Sequence, residues 1–274
     1  MSHPDMQPGN GAPGYGALED QSYASVQPQP PPQEPARLGP FERLIGIIFS
    51  PGETFADINR KPTWLVPVLI SIVLAVGFSY FFKWRVNLDM DQIVRNQIKQ
   101  AMERRNQPMP PEEAIQQQVA ISTVISNIFP FVGPPLLTLF LSGVFALGLM
   151  IMAAQTTFKK ILSVVAWSSL ATTLVYYIVA AASLMVRDPS TVDPTQPGSI
   201  AATNLAAFIP VESRPLQSVL ASIDIFTIWF LILLSIGFAA ISGAKKMKSS
   251  KTGTLVFGLW AVWVLISAGL ATLF

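Results

Sequence analysis

The sequence has no cysteine and only one histidine, His3. The first absence removes thiol nucleophiles, cysteine-ligated zinc, iron–sulfur clusters and disulfides. The second removes any mechanism built on a positioned imidazole, because His3 falls in a segment that reads as unstructured. Charge is scarce too. Asp, Glu, Lys and Arg make up 12% of the chain, against about 25% in ordinary soluble domains. That is too little to coat a surface facing water. The formal net charge of +2 offers no basic field for nucleic acid. No charged stretch followed by a short apolar core opens the sequence, so there is no signal-peptide pattern and membrane targeting falls to the first spanning helix.

What the 274-residue chain does have is apolar residues, 51% of the total, with a mean hydropathy of +0.46. Their distribution predicts an all-α fold, a polytopic membrane helix bundle with five transmembrane helices and a disordered N-terminal tail. Residues 1–38 are rich in Pro, Gln and Gly and hold the run Gln27–Ala36. Such a segment buries too little apolar surface to offset its ordering entropy, and the prolines favour extended polyproline II. Residues 39–62 read as interfacial amphipathic helices. Phe41, Leu44, Ile45 and Ile48 share one helical face, and Ser50-Pro51-Gly52-Glu53 has the pattern of a second helix start. Such helices either lie in the headgroup plane or pack on the bundle.

The membrane domain is expected over 63–274, with spans at about 64–82, 130–153, 161–186, 220–242 and 253–273. Each has roughly the 20 apolar residues needed to cross ~30 Å of hydrocarbon. A polar helical insert occupies 83–124, with a Met90, Val94, Ile98, Met102 stripe and a second helix that begins at Pro110-Pro111-Glu112-Glu113 and runs on into the second span. Pro130, Pro134 and Pro135 predict a kink at the start of the second span. Ile200–Ile209 is a candidate short apolar helix in the loop before the fourth span.

Orientation follows from basic residues in short loops. Lys159, Lys160 and Lys245, Lys246, Lys248, Lys251 are separated by two spans, which puts both loops on one side with Arg60 and Lys61. The N-terminus is then cytosolic and the C-terminus outside. Asp224 lies about 31 Å from Lys245 at 1.5 Å per residue, hence at the opposite interface. There it reads as a member of an interfacial charge cluster with Lys83, Arg85 and Arg187, with ion coupling as the functional alternative. Ser235, Ala239 and Gly243, spaced by four, suit close helix packing within the bundle or in a homo-oligomer. Ser163, Ser168, Ser169, Thr172, Thr173, Tyr176 and Tyr177 either line a polar path or bond to carbonyls and neighbouring helices, at about 0.6 kcal/mol each. No catalytic set, cofactor motif or metal-ligand cluster stands out.

Three segments resemble a known family. "RLIGIIFSPGETFADINRKPTWLVPVLI" (Arg43–Ile70) resembles the opening of bacterial Yip1-domain membrane proteins. "TFKKILSVVAWSSL" (Thr157–Leu170) is similar to their basic turn into the third span, and "IDIFTIWFLILLSIGFAAISGAKK" (Ile223–Lys246) to their fourth. The resemblance covers roughly residues 41–270. It implies a five-helix membrane domain; eukaryotic relatives act in vesicle trafficking and associate with prenylated Rab GTPases. The expectation is therefore a non-enzymatic organiser or adaptor of the bacterial cytoplasmic membrane. Its partners would be the lipid bilayer and proteins recruited through the tail. A small-solute permease or channel is the alternative.

Overall fold

Lipid offers no water to backbone N–H and C=O groups, so an apolar run that enters it must satisfy those groups internally as helix. The computed structural model describes residues 1, 36–192, 200–209, 211, 213–243 and 247–272, and among them the regular structure is helical. Pro35–Phe274 gathers into one unit. The tail expected over 1–38 lies, up to residue 35, outside the described residues save Met1, and so do Lys245 and Lys246.

Two short helices open the unit, α1 (Pro40–Phe49) and α2 (Pro51–Arg60). Glu42 Oε2 accepts the Gly39 N–H at 2.8 Å and fixes the start of α1. Ser50 stands at the cap of α2 with Pro51 at its first position, but its hydroxyl makes no capping bond. Instead Thr54 Oγ1 donates back to the Ser50 carbonyl at 3.0 Å.

Four helices are long and apolar enough to cross a membrane: α3 (Leu65–Arg85), α5 (Glu112–Ile151), α6 (Phe158–Val186) and α9 (Ser249–Leu270). Between the first two lies α4 (Met90–Arg105). Asp89 Oδ1 accepts from the N–H groups of Asp91 and Gln92 at its start, and left-handed Asn106 ends it. Its Val94 is buried, and Arg95 ties it to α5 through Glu112.

The second span is the later part of a longer helix that begins in the polar insert. α5 is continuous for 40 residues, about 60 Å at 1.5 Å per residue, and the three prolines lie inside it. Pro130 leaves the Ser126 carbonyl without its helical N–H, and Lys83 Nζ of α3 donates to that carbonyl at 3.3 Å, the kind of bond from a neighbouring helix that lets proline persist in a membrane helix.

The fourth span is shorter than expected. α7 (Arg214–Ser222) and α8 (Ile225–Ile241) are separate helices. Asp224 breaks the run because its carboxylate caps α8, Oδ1 accepting from Phe226 N at 2.8 Å and Thr227 N at 3.1 Å. The candidate helix at Ile200–Ile209 is a single 3-10 turn, Leu205–Ala207. Its chain instead pairs across Asn204 and Asp224, with Leu205 N donating to Ile223 O and Ile225 N to Thr203 O.

α6 is the hub, with most of its residues from Ile161 to Thr172 fully buried. The main core, including Phe55, Trp167, Leu170, Leu234 and Phe238, fills the end of the bundle where α1 and α2 sit, called here the N-terminal face. Gln155 N donates to Ser242 O at 3.3 Å and so joins the two turns on that face. A second cluster, with Ala180, Leu184, Val192, Ile200 and Ala201, closes the far face. Around both runs a belt of exposed apolar side chains, among them Val73, Leu136, Phe140, Ile178, Trp263 and Leu265. A belt of that extent is a surface for lipid.

Candidate functional site

Two features stand apart from simple helix packing, a buried polar lock at the N-terminal face and a hydroxyl-lined cavity above it.

The lock begins with charges set into apolar faces. Arg43 precedes buried Ile47 by one turn on α1, and Asp57 lies among buried Thr54, Phe55 and Ile58 on α2. Both ionic residues are 3% exposed, and burial of that kind demands full pairing. Arg43 Nη2 and Nε donate to Asp57 Oδ2 at 2.7 and 3.0 Å. Arg43 Nη1 donates to Lys61 O at 3.1 Å and to Thr63 Oγ1 at 2.6 Å. Arg37 N donates to the other carboxylate oxygen at 2.7 Å.

Trp167, fully buried on α6, completes the lock by donating its indole N–H to Thr63 O at 2.8 Å. Asn59 Nδ2 reaches Ala240 O on α8 at 3.1 Å. Desolvation works to raise the Asp57 pKa. The Arg37 N–H, the Arg43 hydrogen bonds and charge, and the Leu38 N–H outweigh it and hold the carboxyl below its ordinary value. Gly237 lets α8 come close, since a Cβ there would collide with Val164 and crowd the Phe55 ring. α2 is therefore part of the core.

The cavity, about 560 Å³, lies between the two apolar clusters. Ser71, Ala75, Phe78, Ser79 and Phe82 of α3 form one wall, and Phe129 to Leu141 of α5 another. Ser169, Thr172, Thr173, Tyr176 and Tyr177 of α6 form its floor, and α8 contributes Phe226, Thr227 and Phe230. Phe78 stacks on Tyr177 with centroids 4.3 Å apart. No charged side chain lines it among the described residues. α5 and α8 meet below it, where Phe145 and Phe238 are 5.1 Å apart.

The serines and threonines of α6 divide. Ser163 and Thr172 bond back to carbonyls one turn earlier, at 2.8 and 2.9 Å. Ser168 is fully buried with its hydroxyl unpartnered among the described residues. Ser169, Thr173, Tyr176 and Tyr177 turn to the cavity.

The residues singled out as an interfacial cluster all lie toward the far face, but on different partners. Lys83 Nζ donates to Asn127 Oδ1 at 2.7 Å and to Ser126 O at 3.3 Å. Arg85 donates to the Arg187 carbonyl at 3.0 Å. Asp224 serves the α8 N-terminus and accepts from the Thr203 hydroxyl. Four free N–H groups at a helix start are a nearer demand on a carboxylate than cations on other elements.

The small-residue stripe is used within the chain as far as Ser235, whose carbonyl accepts from Thr252 Oγ1 of α9 at 2.6 Å. Gly243 lies beyond α8. It takes the left-handed turn, φ +76°, with the Gln155 carbonyl against it. Of the basic loop residues, Lys159 and Lys160 open α6, and Lys248 and Lys251 lie at the start of α9. All four belong to the N-terminal face. Among the described residues, no three His, Cys, Asp or Glu stand close enough to hold a metal ion.

A family model described as the Yip1 domain matches residues 45–273. The membrane protein YknW of Bacillus subtilis (strain 168) is 26% identical over 226 residues, which cover 82% of this chain and 89% of that protein. No solved structure matches significantly. The matched region runs from within α1 through α9 and takes in Asp57, Thr63 and Trp167 of the lock, the cavity and every long apolar helix, while Arg43 lies just ahead of it. The chain is an integral membrane protein and belongs to the Yip1-domain family.

Proposed function

We propose that this protein crosses a bacterial cytoplasmic membrane five times, with its N-terminal face in the cytosol and its C-terminus outside, and acts as a non-enzymatic organiser or adaptor. α8 serves as the fifth crossing. Its 17 residues span about 26 Å, and it runs from the far face back to the turn bonded to Gln155. Lys159, Lys160, Lys248 and Lys251 gather with Arg60 and Lys61 on one face, the asymmetry that retains loops in the cytosol.

The observation that carries the role is the mounting of α1. The buried Arg43–Asp57 pair fixes α1 to a helix that is itself part of the core. Phe41, Ile45 and Phe49 nevertheless remain exposed on it, one turn apart. An apolar stripe held rigidly at the membrane surface, directly after a Pro/Gln-rich segment, is a platform for proteins arriving from the cytosol. Hot spots of association are of this kind, large apolar side chains on an ordered support.

Photo-crosslinking in cells tests the reading, with a photoreactive residue at Phe41 or Phe49 of the full-length protein. Discrete protein adducts are expected; adducts with lipid alone at both positions would overturn it.

The permease reading draws on the hydroxyls in the cavity. It needs a continuous water path, and the packed core of Phe55, Trp167, Leu170 and Phe238 lies between the cavity and the N-terminal face. Cysteines at Ser168, Thr172 and Tyr176 are expected to stay inert to charged thiol reagents; reaction at all three would restore the permease.

A further inference from the structure

We infer that the cavity is a lipid-tail site. It holds one acyl chain of a phospholipid from the far-face leaflet, with the lipid phosphate at Lys83.

The dimensions suit a chain. The α3 wall runs from Ser71 to Phe82, about 16 Å at 1.5 Å per residue, and one leaflet of a ~30 Å hydrocarbon core is about 15 Å deep. Depth matches too. Ser71 lies one and a half turns into α3, and Phe82 is one turn from its far end. The lining excludes a charged occupant, since aromatic and aliphatic side chains make the walls and the polar groups among them are hydroxyls.

Ser79, Ser169, Thr173, Tyr176, Tyr177 and Thr227 present hydroxyls that bond to no described residue. In hydrocarbon such groups seek oxygen acceptors, and a glycerolipid with its phosphate at Lys83 brings its ester groups to those within two turns of the far face, Ser79 and Thr227. An entrance also exists. Phe129 and Leu137 line the cavity and are 56% and 54% exposed on the lipid side of α5, so a chain can enter sideways from the bilayer.

The headgroup end is equally specific. Lys83 follows Phe82 directly, and its partners Ser126 and Asn127 lie within one turn of the Phe129 rim. A cation is thus mounted over the mouth at phosphate level, where basic residues hold lipid headgroups.

Full-length protein in nanodiscs of phosphatidylglycerol and phosphatidylcholine tests this, with a trace of phosphatidylglycerol carrying a mid-chain diazirine. After irradiation, adducts are mapped by mass spectrometry. They are expected on the Ser169–Tyr177 and Phe226–Phe230 segments as well as on lipid-facing Trp263 and Leu265 of α9. Filling the cavity with Ala75→Phe or Thr173→Phe should remove the first group and leave the α9 adducts unchanged. Lys83→Gln, which leaves the lining intact, should lower the cavity adducts roughly fivefold, as expected for one lost cation near the surface. Adducts confined to α9 and the outer side of α5 would overturn the proposal. So would cavity adducts that persist in both the filled and Lys83→Gln variants, or reaction of a cysteine at Thr173 with a charged thiol reagent. A failure here leaves the crosslinks expected at Phe41 and Phe49 untouched.

Discussion

Removing Asp57 should release α1 and α2 from the bundle. In Asp57→Ala, Arg43 stays almost fully buried while Nε and Nη2 lose their acceptor, and the Arg37 N–H loses its own. Breaking a buried ion pair on one side costs about 3–5 kcal/mol, because a bare charge remains in the interior. That corresponds to roughly 10²- to 10⁴-fold greater opening of the segment. Hydrogen exchange of the full chain in nanodiscs reads it directly, as faster exchange of Pro40–Arg60 amides with α9 unchanged as control. The double variant Arg43→Met/Asp57→Leu should restore protection, since an apolar pair of similar volume removes both desolvation costs. The pH dependence has a definite sign. The folded pKa lies below the ordinary carboxylate value, so the stabilisation is present above that ordinary value and lost as pH falls through the folded one. Protection should be flat from pH 5 to 8 and fail only in stronger acid. Wild-type exchange rates in Asp57→Ala, or no recovery in a folded double variant, would refute the assignment of the lock.

Gly237→Ala places a methyl against Val164 and the Phe55 ring; thermal unfolding in detergent should show a loss of about 1–3 kcal/mol, and Gly237→Leu should be worse. Gly243→Ala forces a side chain into φ +76° beside the Gln155 carbonyl, costing about 1–2 kcal/mol for the left-handed backbone alone; equal stability of the variant would exclude a native left-handed turn. Asp224→Ala removes the α8 cap and should cost about 0.5–2 kcal/mol, while Asp224→Asn keeps most of it. If Asn proves as damaging as Ala, the charge matters for something other than capping. Neutralising Arg95, whose pairs with Asp91 and Glu112 are exposed, should have a small effect that added salt erases.

The helices that were legible are those whose chemistry is local. Leu65–Arg85, Phe158–Val186 and Ser249–Leu270 contain long charge-free runs, and lipid leaves such runs one conformation. α4 was readable from Asp89 at one end and Asn106 at the other. The α1–α2 junction was readable from Ser50-Pro51. In α5 the prolines were read as a kink, and the helix that starts at Glu112 runs on through them into the second span.

The split of α7 from α8 turned on whether Asp224 stood within a helix or ahead of one, and periodicity does not distinguish these. The lock was missed for a different reason. Arg43 and Asp57 are fourteen residues apart on separate helices, and the strongest periodic signal in α1 includes Phe41 and Ile45, which the fold leaves exposed. A signal did exist: two successive amphipathic helices each carry one charge within an apolar face, and the charges are opposite. The cavity hydroxyls of α6 were recognised, but which of them turn to a neighbour carbonyl and which to open space depends on α5 and α8.

Because α2 rests on α6 and α8, the order of synthesis has a consequence. Asn59 and its acceptor Ala240 are separated by 181 residues. At the usual ribosomal pace of about 5–20 residues per second, α2 leaves the ribosome some 9–36 s before its seat exists. In that interval Arg43 and Asp57 can meet one another, but Phe55 and Ile58 have at most the α6 side of their seat to bury against. α1 and α2 thus settle only after α6 and α8 have arrived, and their settling reports that α8 is in place. A chain that stalls before α8 keeps its opening segment loose and apolar at the membrane surface, a visible mark of incompleteness.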